Sequence, residues 1–249
     1  MSRKREELRE ATVPAAVLRE TAATQIAGRR DFAAALRRSR PAVISEIKKA
    51  SPSKGVLVDD FRPATLARQY ELGGAACISC LTDKDFFQGS IADLQAARAA
   101  CQLPVIRKDF TIAEYHVLEA AASGADAILL IAAILDVPEM RAFRQMAGEF
   151  GMASLVEAHN AAELDAALEA GAEIVGVNNR DLNTFQVSLD TSVTLAQRIP
   201  DGVIKVSESG IFTAVDVRRL MACGYDAFLV GEHLVKSGDP TQALRDLVA

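Results

Sequence analysis

Glu46 and Lys48 stand two residues apart in the stretch Val43–Gly55, VISEIKKASPSKG. An apolar run, Ala42–Ile44, leads into them and a Ser/Pro/Gly loop leads out. If the run is a β-strand, side chains alternate faces, so Ile44, Glu46 and Lys48 point the same way. An acid and a base at the last two inward positions of an apolar strand are costly to bury without a use. Ser51, Pro52, Ser53, Lys54 and Gly55 then bring hydroxyls, an ammonium and flexible backbone beside them. Alone, the stretch reads equally well as a strand end whose charges reach solvent.

The same arrangement recurs down the chain. Apolar or small residues precede a polar one at the same parity in Ile106 and Lys108, in Ala153, Leu155 and Glu157, in Ile174, Gly176 and Asn178, and in Val206 and Glu208. One charged strand end is ordinarily structural; five or six converging on one opening are not explained by folding. Glutamates and lysines held together shift each other's pKa, which lets one site keep an acid and a base near neutral pH. Arg107, Asp109, Arg180 and Asp181 fall on the other parity and suit loop salt bridges. Metal ligation competes for Glu46, Glu157 and Glu208, but Lys48 and Lys108 already supply positive charge there. A lysine at such a site can also attack a carbonyl as a Schiff-base nucleophile, and the residue types allow it. His116, His159 and His233 sit away from the strand ends and lack ligand-spaced partners, so they read as structural or surface residues. Cys77 and Cys80 form C-x-x-C inside an apolar strand, where three-residue spacing puts them on opposite faces; neither a metal nor a redox pair is expected.

These residues need elements to carry them, and the chain supplies a regular beat. Strands are expected at Ala42–Lys48, Cys77–Leu81, Val105–Lys108, Ala127–Ile131, Ala153–Glu157, Glu173–Val177, Val203–Val206 and Ala227–Val230. Helices follow each in turn, at Pro63–Leu72, Ile91–Ala100, Ala113–Ala122, Pro138–Phe150, Ala161–Ala170, Leu189–Arg198, Ala214–Ala222 and Thr241–Val248. Ser90, Asn160 and Thr213 are N-caps, and glycines such as Gly124, Gly151 and Gly171 close helices. Short apolar strands separated by helices read as a parallel sheet covered on both faces. Eight units in 249 residues favour a closed barrel over an open sheet. No G-x-G-x-x-G follows the first strand, so a dinucleotide fold has no support. The prediction is α/β: a single (β/α)8 TIM barrel over 41–249, preceded by an N-terminal helical extension over 1–40. In such a barrel, function gathers at the C-terminal strand ends, where all the polar residues above fall.

Composition narrows the function. The net charge of −5 argues against general attraction to nucleic acid or acidic membrane. Residues 1–40 hold ten Arg/Lys against five Asp/Glu, mostly the solvated face of a helix. No apolar run reaches the ~18 residues of a membrane span, and the first residues lack a secretory h-region. Four cysteines suggest no disulfide framework. A cytoplasmic enzyme is expected. After the last two strands, Ser209-Gly210 and Gly231-Glu232 place glycines where backbone must approach a ligand. Glu232–Lys236 can form a short helix whose N-terminus faces the mouth, a phosphate cradle to which Ser51 and Ser53 could add hydroxyls.

At these residues the sequence resembles the indole-3-glycerol phosphate synthases of tryptophan biosynthesis. The resemblance runs from about Phe32 to Val248 through SEIKKASPSKG (Ser45–Gly55), LTDKDFFQGS (Leu81–Ser90), PVIRKDF (Pro104–Phe110), LVEAHN (Leu155–Asn160), GVNNRDL (Gly176–Leu182), SESG (Ser207–Gly210) and VGEHLV (Val230–Val235). It implies a ring closure, decarboxylation and dehydration of 1-(2-carboxyphenylamino)-1-deoxyribulose 5-phosphate, with no cofactor and no metal. By resemblance Lys108 is the general acid, Glu157 the base, and Lys48 a second acid or a holder of the substrate carboxylate. Glu46 tunes the lysines; Asn178 and Glu208 hold hydroxyls or neighbouring side chains. Ser51, Ser209, Gly210, Gly231 and Glu232 map to the phosphate, with Arg180 counted among the substrate-binding residues. Phe87, Phe110 and Leu182 would wall the anthranilate ring. The implied partner is this phosphosugar–anthranilate substrate alone, with no nucleic acid or membrane, and the implied form is a monomer whose N-terminal extension covers the mouth. Glu232 departs from relatives that carry Ser or Thr there, and a carboxylate beside a phosphate requires its side chain to turn away. A related phosphoribosylanthranilate isomerase would want an early Cys and a late Asp at strand ends, which this chain lacks. A non-catalytic phosphate-binding barrel would not need both acids and bases.

Overall fold

In the computed structural model, which describes residues 2–52, 54–181 and 184–249, the N-terminal segment folds as three helices, α1 (Ser2–Glu10), α2 (Ala15–Gln25) and α3 (Phe32–Arg38). The chain then enters β1 (Ala42–Ile47), turns through a small hairpin of β2 (Ala50–Ser51) and β3 (Gly55–Val56), and runs along α4 (Pro63–Gly73). β4 (Cys77–Leu81) is followed by a short α5 (Lys84–Phe87) and α6 (Ile91–Ala100). Regular alternation continues with β5 (Val105–Lys108), α7 (Glu114–Ala122), β6 (Ala127–Ile131), α8 (Val137–Glu149), β7 (Ala153–Ala158) and α9 (Ala161–Glu169). It closes with β8 (Ile174–Asn178), α10 (Asp190–Leu195), β9 (Ile204–Glu208), α11 (Ala214–Ala222), β10 (Ala227–Val230), a short α12 (Glu232–Val235) and α13 (Pro240–Val248).

Eight of these strands close into a parallel barrel in the order β1-β10-β9-β8-β7-β6-β5-β4, with β4 pairing back on β1. Ser90, Asn160 and Thr213 cap helices with their side chains as the sequence indicates. Boundaries move by one to three residues: β9 continues to Glu208, β1 ends at Ile47 with Lys48 just beyond it, and α10 ends at Leu195 with a 3-10 turn over Ala196–Arg198. The β2–β3 hairpin and α5 have no periodic signal and emerge only in the structure. Among the described residues no helix is long and apolar enough to cross a membrane.

Strand parity divides the core in two. Ala42, Ile44, Cys77, Ile106, Leu129, Leu155, Ile174, Val206 and Leu229 pack inside the barrel. Their neighbours Val43, Ile78, Cys80, Val105, Ile128, Val156, Val175 and Phe228 pack outward against the helices. Cys77 and Cys80 thus fall on opposite faces, both buried and free.

The N-terminal segment wraps the barrel rather than lying wholly over its mouth. α3 inserts Phe32 and Leu36, one turn apart, into the inner cluster beside Ala42 and Cys77, which plugs the N-terminal end of the strands. α2 packs along α7 on the outer wall. α1 alone reaches the mouth, because Lys4 is drawn to Asp109 at 2.7 Å and Asp83 at 2.9 Å. Part of the basic excess is consumed here: Arg29 donates to the carbonyls of Ala121, Ala125 and Phe150 around the ends of α7 and α8, and Arg30 to those of Arg98 and Leu103.

Register at the bottom of the barrel is pinned by two aspartates that precede strands. Asp126, just before β6, accepts from the Val105 N–H at 2.9 Å while its own N–H donates to the Val105 carbonyl. Asp226, just before β10, repeats the clamp on Lys205. Asp126 also takes the Arg98 guanidinium and the Arg30 N–H, and is fully buried. Asp126→Ala leaves these donors unsatisfied and is expected to lower stability in urea unfolding by about 3 kcal/mol. A loss below about 0.5 kcal/mol would mean that the clamp is not a register device.

Candidate active site

The parallel barrel brings the C-terminal strand ends to one rim, where they surround a cavity of about 460 Å³. Glu46, Lys48, Lys108, Glu157, Asn178 and Glu208 all line it. Lys108, at the end of β5, places its ammonium 3.2 Å from Glu157 Oε2 and 3.3 Å from Glu208 Oε2. Lys48 pairs with Glu46 at 2.6 Å. The result is two ammonium groups among three carboxylates, all largely withdrawn from water.

Burial disfavours every charge here, and the neighbours decide which survive. Burial opposes the Lys108 ammonium, but Glu208, Glu157 and Glu46 outweigh it and push its pKa well above the ordinary lysine value. Burial likewise opposes ionised Glu46, and Lys48 and Lys108 overcome it and hold the carboxyl down. Glu157 is held far down, against burial, by Lys108 and by His159. Glu208 goes the other way. Burial pushes it up to about 8, against the pull of Lys108 and with the repulsion of Glu157. The mouth therefore holds a charged acid, an ionised base and a carboxyl that keeps its proton at neutral pH.

Two glycines make room for these carboxylates. A Cβ on Gly176 would collide with Glu208 Oε1, and one on Gly231 would collide with Glu46 Oε2. Gly176 stands on β8 beside Glu157, its register partner on β7. Its inward parity is visible in the sequence, but the reason it must lack a side chain is not.

On the outer side, Ser209 and Gly210 adopt positive φ, +67° and +78°. They line the cavity with Gly231, Glu232 and Ser51. Asn179 fixes this turn by donating to the Ser209 carbonyl and to Ser207 Oγ, both at 3.0 Å. Glu232 lies at the rim, but its carboxylate pairs with Lys54 and, at 3.1 Å, with Lys236. The carboxylate at this position thus faces two ammonium groups. Phe87 and Phe110 line the apolar side with Phe86, whose ring meets Phe110 edge-on at 6.0 Å. Ser53 and Leu182 lie outside the described residues.

Two expectations need correction. Arg107 and Asp109 are not loop salt bridges but a buried pair at 3.2 Å beneath the mouth. Arg107 reaches Glu119 at 2.6 Å and Asp109 reaches Lys4, so they brace the segment that carries Lys108. Arg180, counted among the substrate-binding residues, lines the cavity and donates to the Phe185 carbonyl at 3.4 Å. His159 is likewise not remote from a strand end. It follows β7 directly and places Nε2 3.4 Å from Glu157 Oε1. His116 remains structural: burial, Arg107 and Lys4 lower it to about 4, and its Nδ1 accepts from the Ile112 N–H.

A family model described as indole-3-glycerol phosphate synthase matches residues 1–247. The chain belongs to the indole-3-glycerol phosphate synthase family. An indole-3-glycerol phosphate synthase of Chromobacterium violaceum is 56% identical over 223 residues, which is 88% of this chain and 84% of that protein. One of Dechloromonas aromatica is 51% identical over 252 residues, 99% of this chain and 96% of that protein. Among solved structures, the thiamine phosphate pyrophosphorylase of Pyrococcus furiosus superposes with a TM-score of 0.63 at 15% identity, over 84% of this chain and 95% of its own. The N-acetylmannosamine-6-phosphate 2-epimerase of Clostridium perfringens gives 0.62 at 15% identity, over 83% and 93%. At that identity they share the barrel fold and carry no information about substrate.

For the family's reaction, the Gly231–Glu46 contact makes a prediction different from a phosphate role alone. Gly231→Ala displaces Glu46 and is expected to lower kcat by at least about tenfold, besides raising KM. A variant altered in KM alone, in steady-state assays across substrate concentration, would show that Gly231 serves only the phosphate.

Proposed function

We propose that the chain is a carboxy-lyase that converts 1-(2-carboxyphenylamino)-1-deoxyribulose 5-phosphate to indole-3-glycerol phosphate, as a monomer in the cytoplasm. The observation that carries this reading is the Lys108 ammonium held between Glu157 and Glu208 at the inner end of the cavity. A glycine cradle lies on one side and an aromatic wall on the other.

The chemistry accounts for each group. The ring carbon bearing the carboxylate attacks the ribulose carbonyl, and Lys108 protonates the oxygen as its negative charge develops. An alkoxide is a stronger base than even this tightly held lysine, so the transfer runs downhill. The bond to the carboxylate breaks, its electrons restore the aromatic ring, and CO₂ leaves. The new hydroxyl then departs as water with a second proton, while Glu157 takes a proton from the methylene carbon beside nitrogen. Two protons are given and one is recovered, so each turnover draws one from solvent. Lys48, braced by Glu46, supplies the second proton or holds the departing carboxylate. Asn178 and Glu208 fit the sugar hydroxyls. Backbone N–H groups at Ser209, Gly210, Gly231 and Glu232, with Ser51, suit the phosphate, since oriented amides attract anions.

The chain has no Trp, so product fluorescence rises against a dark protein. Mixing purified protein with the substrate, without added metal or nucleotide, is expected to give growing indole emission. Lys108→Ala is expected to keep its circular dichroism and lose about 10³-fold in kcat. Indole formation by that variant at the native rate would remove Lys108 from the acid role, and substrate binding without indole would reduce the chain to a binding barrel.

A further inference from the structure

His159 sits behind the base and is held from both sides. Its Nδ1 is 2.9 Å from Glu163 Oε2, on the first turn of α9. Its Nε2 faces Glu157 Oε1 at 3.4 Å and has no hydrogen-bond partner among the described residues. The side chain is only 10% exposed and that of Glu163 18%. A neutral imidazole has one N–H, so either tautomer would turn a bare ring nitrogen toward a carboxylate. Only the doubly protonated ring gives both carboxylates a donor or a positive charge.

We infer that His159 is a positioning residue of the reaction proposed above, a standing imidazolium clamped by Glu163 that holds Glu157 ionised and oriented as the base. Local charge supports this. Glu157 faces Lys108 on β5 and Glu208 on β9, with Glu46 and Lys48 at the end of β1. Lys48 answers Glu46, and Lys108 faces only the Oε2 side of Glu157; His159 is the cation on the Oε1 side, and Glu163 balances it. Against burial, Glu157 and Glu163 push the ring up to about 10. Glu163 in turn is fixed by the His159 N–H at 2.8 Å and by Asn160, the cap of α9, at 2.6 Å. The clamp is thus built into the turn that starts the helix, and its position does not depend on the substrate.

The inference rests on Glu157 being the base of the proposed reaction, and indole formation by the unaltered enzyme tests that separately. His159 is tested first without substrate. With only three histidines, its ring nitrogens can be followed by ¹⁵N NMR between pH 6 and 9. Imidazolium shifts retained at pH 8 are expected, and a neutral tautomer at pH 7 would overturn the inference. In turnover, His159→Gln is expected to lower kcat about tenfold with KM within twofold. Removing the cation lets the Glu157 pKa rise, so the acid limb of the kcat–pH profile should move up by about one unit. Glu163→Gln, which keeps the shape of the clamp, should move the limb the same way by less and lower the titration point of His159. A loss of kcat in either variant with an unmoved acid limb would mean that His159 only packs against the strand, and overturns the inference.

Discussion

Keeping two ammonium groups, two carboxylates and a protonated carboxyl out of water at close range is the constraint on which the mouth depends. Each charge alone would be too costly to bury, and each is retained because its neighbours replace the lost hydration. Lys108 is the pivot, since Glu157 and Glu208 both lean on it. Such a cluster needs side chains from several strands to arrive at one level. An all-parallel barrel does this by construction, because every strand presents the same end to the same rim; alternating strands would send half the charges to the opposite face.

Level is not sufficient; the charges also need space and stiff backing. Space comes from Gly176 and Gly231, whose missing side chains leave the volumes that Glu208 and Glu46 fill. Backing comes from polar groups one step behind. Arg107 and Asp109 flank Lys108 in sequence and are held by Thr82, Glu119 and Lys4, Arg107 away from the cavity and Asp109 at its edge. Asn179 flanks Asn178 in the same way and ties the β8 and β9 ends through Ser207, Ser192 and Tyr225. Inward residues carry charge toward the cavity, and the next residue along anchors the backbone. At the far end, Asp126 and Asp226 lock the strand starts. A slip of one residue would turn Lys108 out of the cavity, so register there decides chemistry at the mouth.

That alternation explains what could be read from the sequence. Glu46, Lys108, Glu157, Asn178 and Glu208 were legible because period two and an apolar lead-in both point at them. Helix ends were legible wherever a Ser, Thr or Asn cap preceded the periodic run. His159 was hidden because it lies one residue past its strand, where backbone direction is set by the cap of α9 and not by the pleat. Arg107 and Asp109 had the correct parity for facing outward, but outward at that height means into the packing of α7, α1 and the β4 loop and not into solvent. Glycine is equally ambiguous: it marks a turn, a ligand approach or a space for a neighbour, and only coordinates separate Gly231, which adjoins Glu46, from Gly210, which needs its positive φ. The path of the first 40 residues was not legible because a single Phe32–Leu36 pair plugs the barrel and a single Lys4 reaches the mouth, too few residues to make a periodic signal.

Glu232 shows how the same electrostatics handles a carboxylate at the rim of the mouth. A free carboxylate at the N-terminus of α12 would favour the helix but repel an incoming phosphate. Here it is pinned by Lys54 from the β2–β3 hairpin and by Lys236 from the end of its own short helix. Two lysines against one carboxylate leave a net positive charge at the rim. The Glu232 side chain therefore holds an ammonium at the rim, and it ties the first βα loop to the last. A Ser or Thr at this position could offer a phosphate one hydroxyl but could not hold Lys54. Glu232 thus puts a charged group and a fixed loop at this point of the rim.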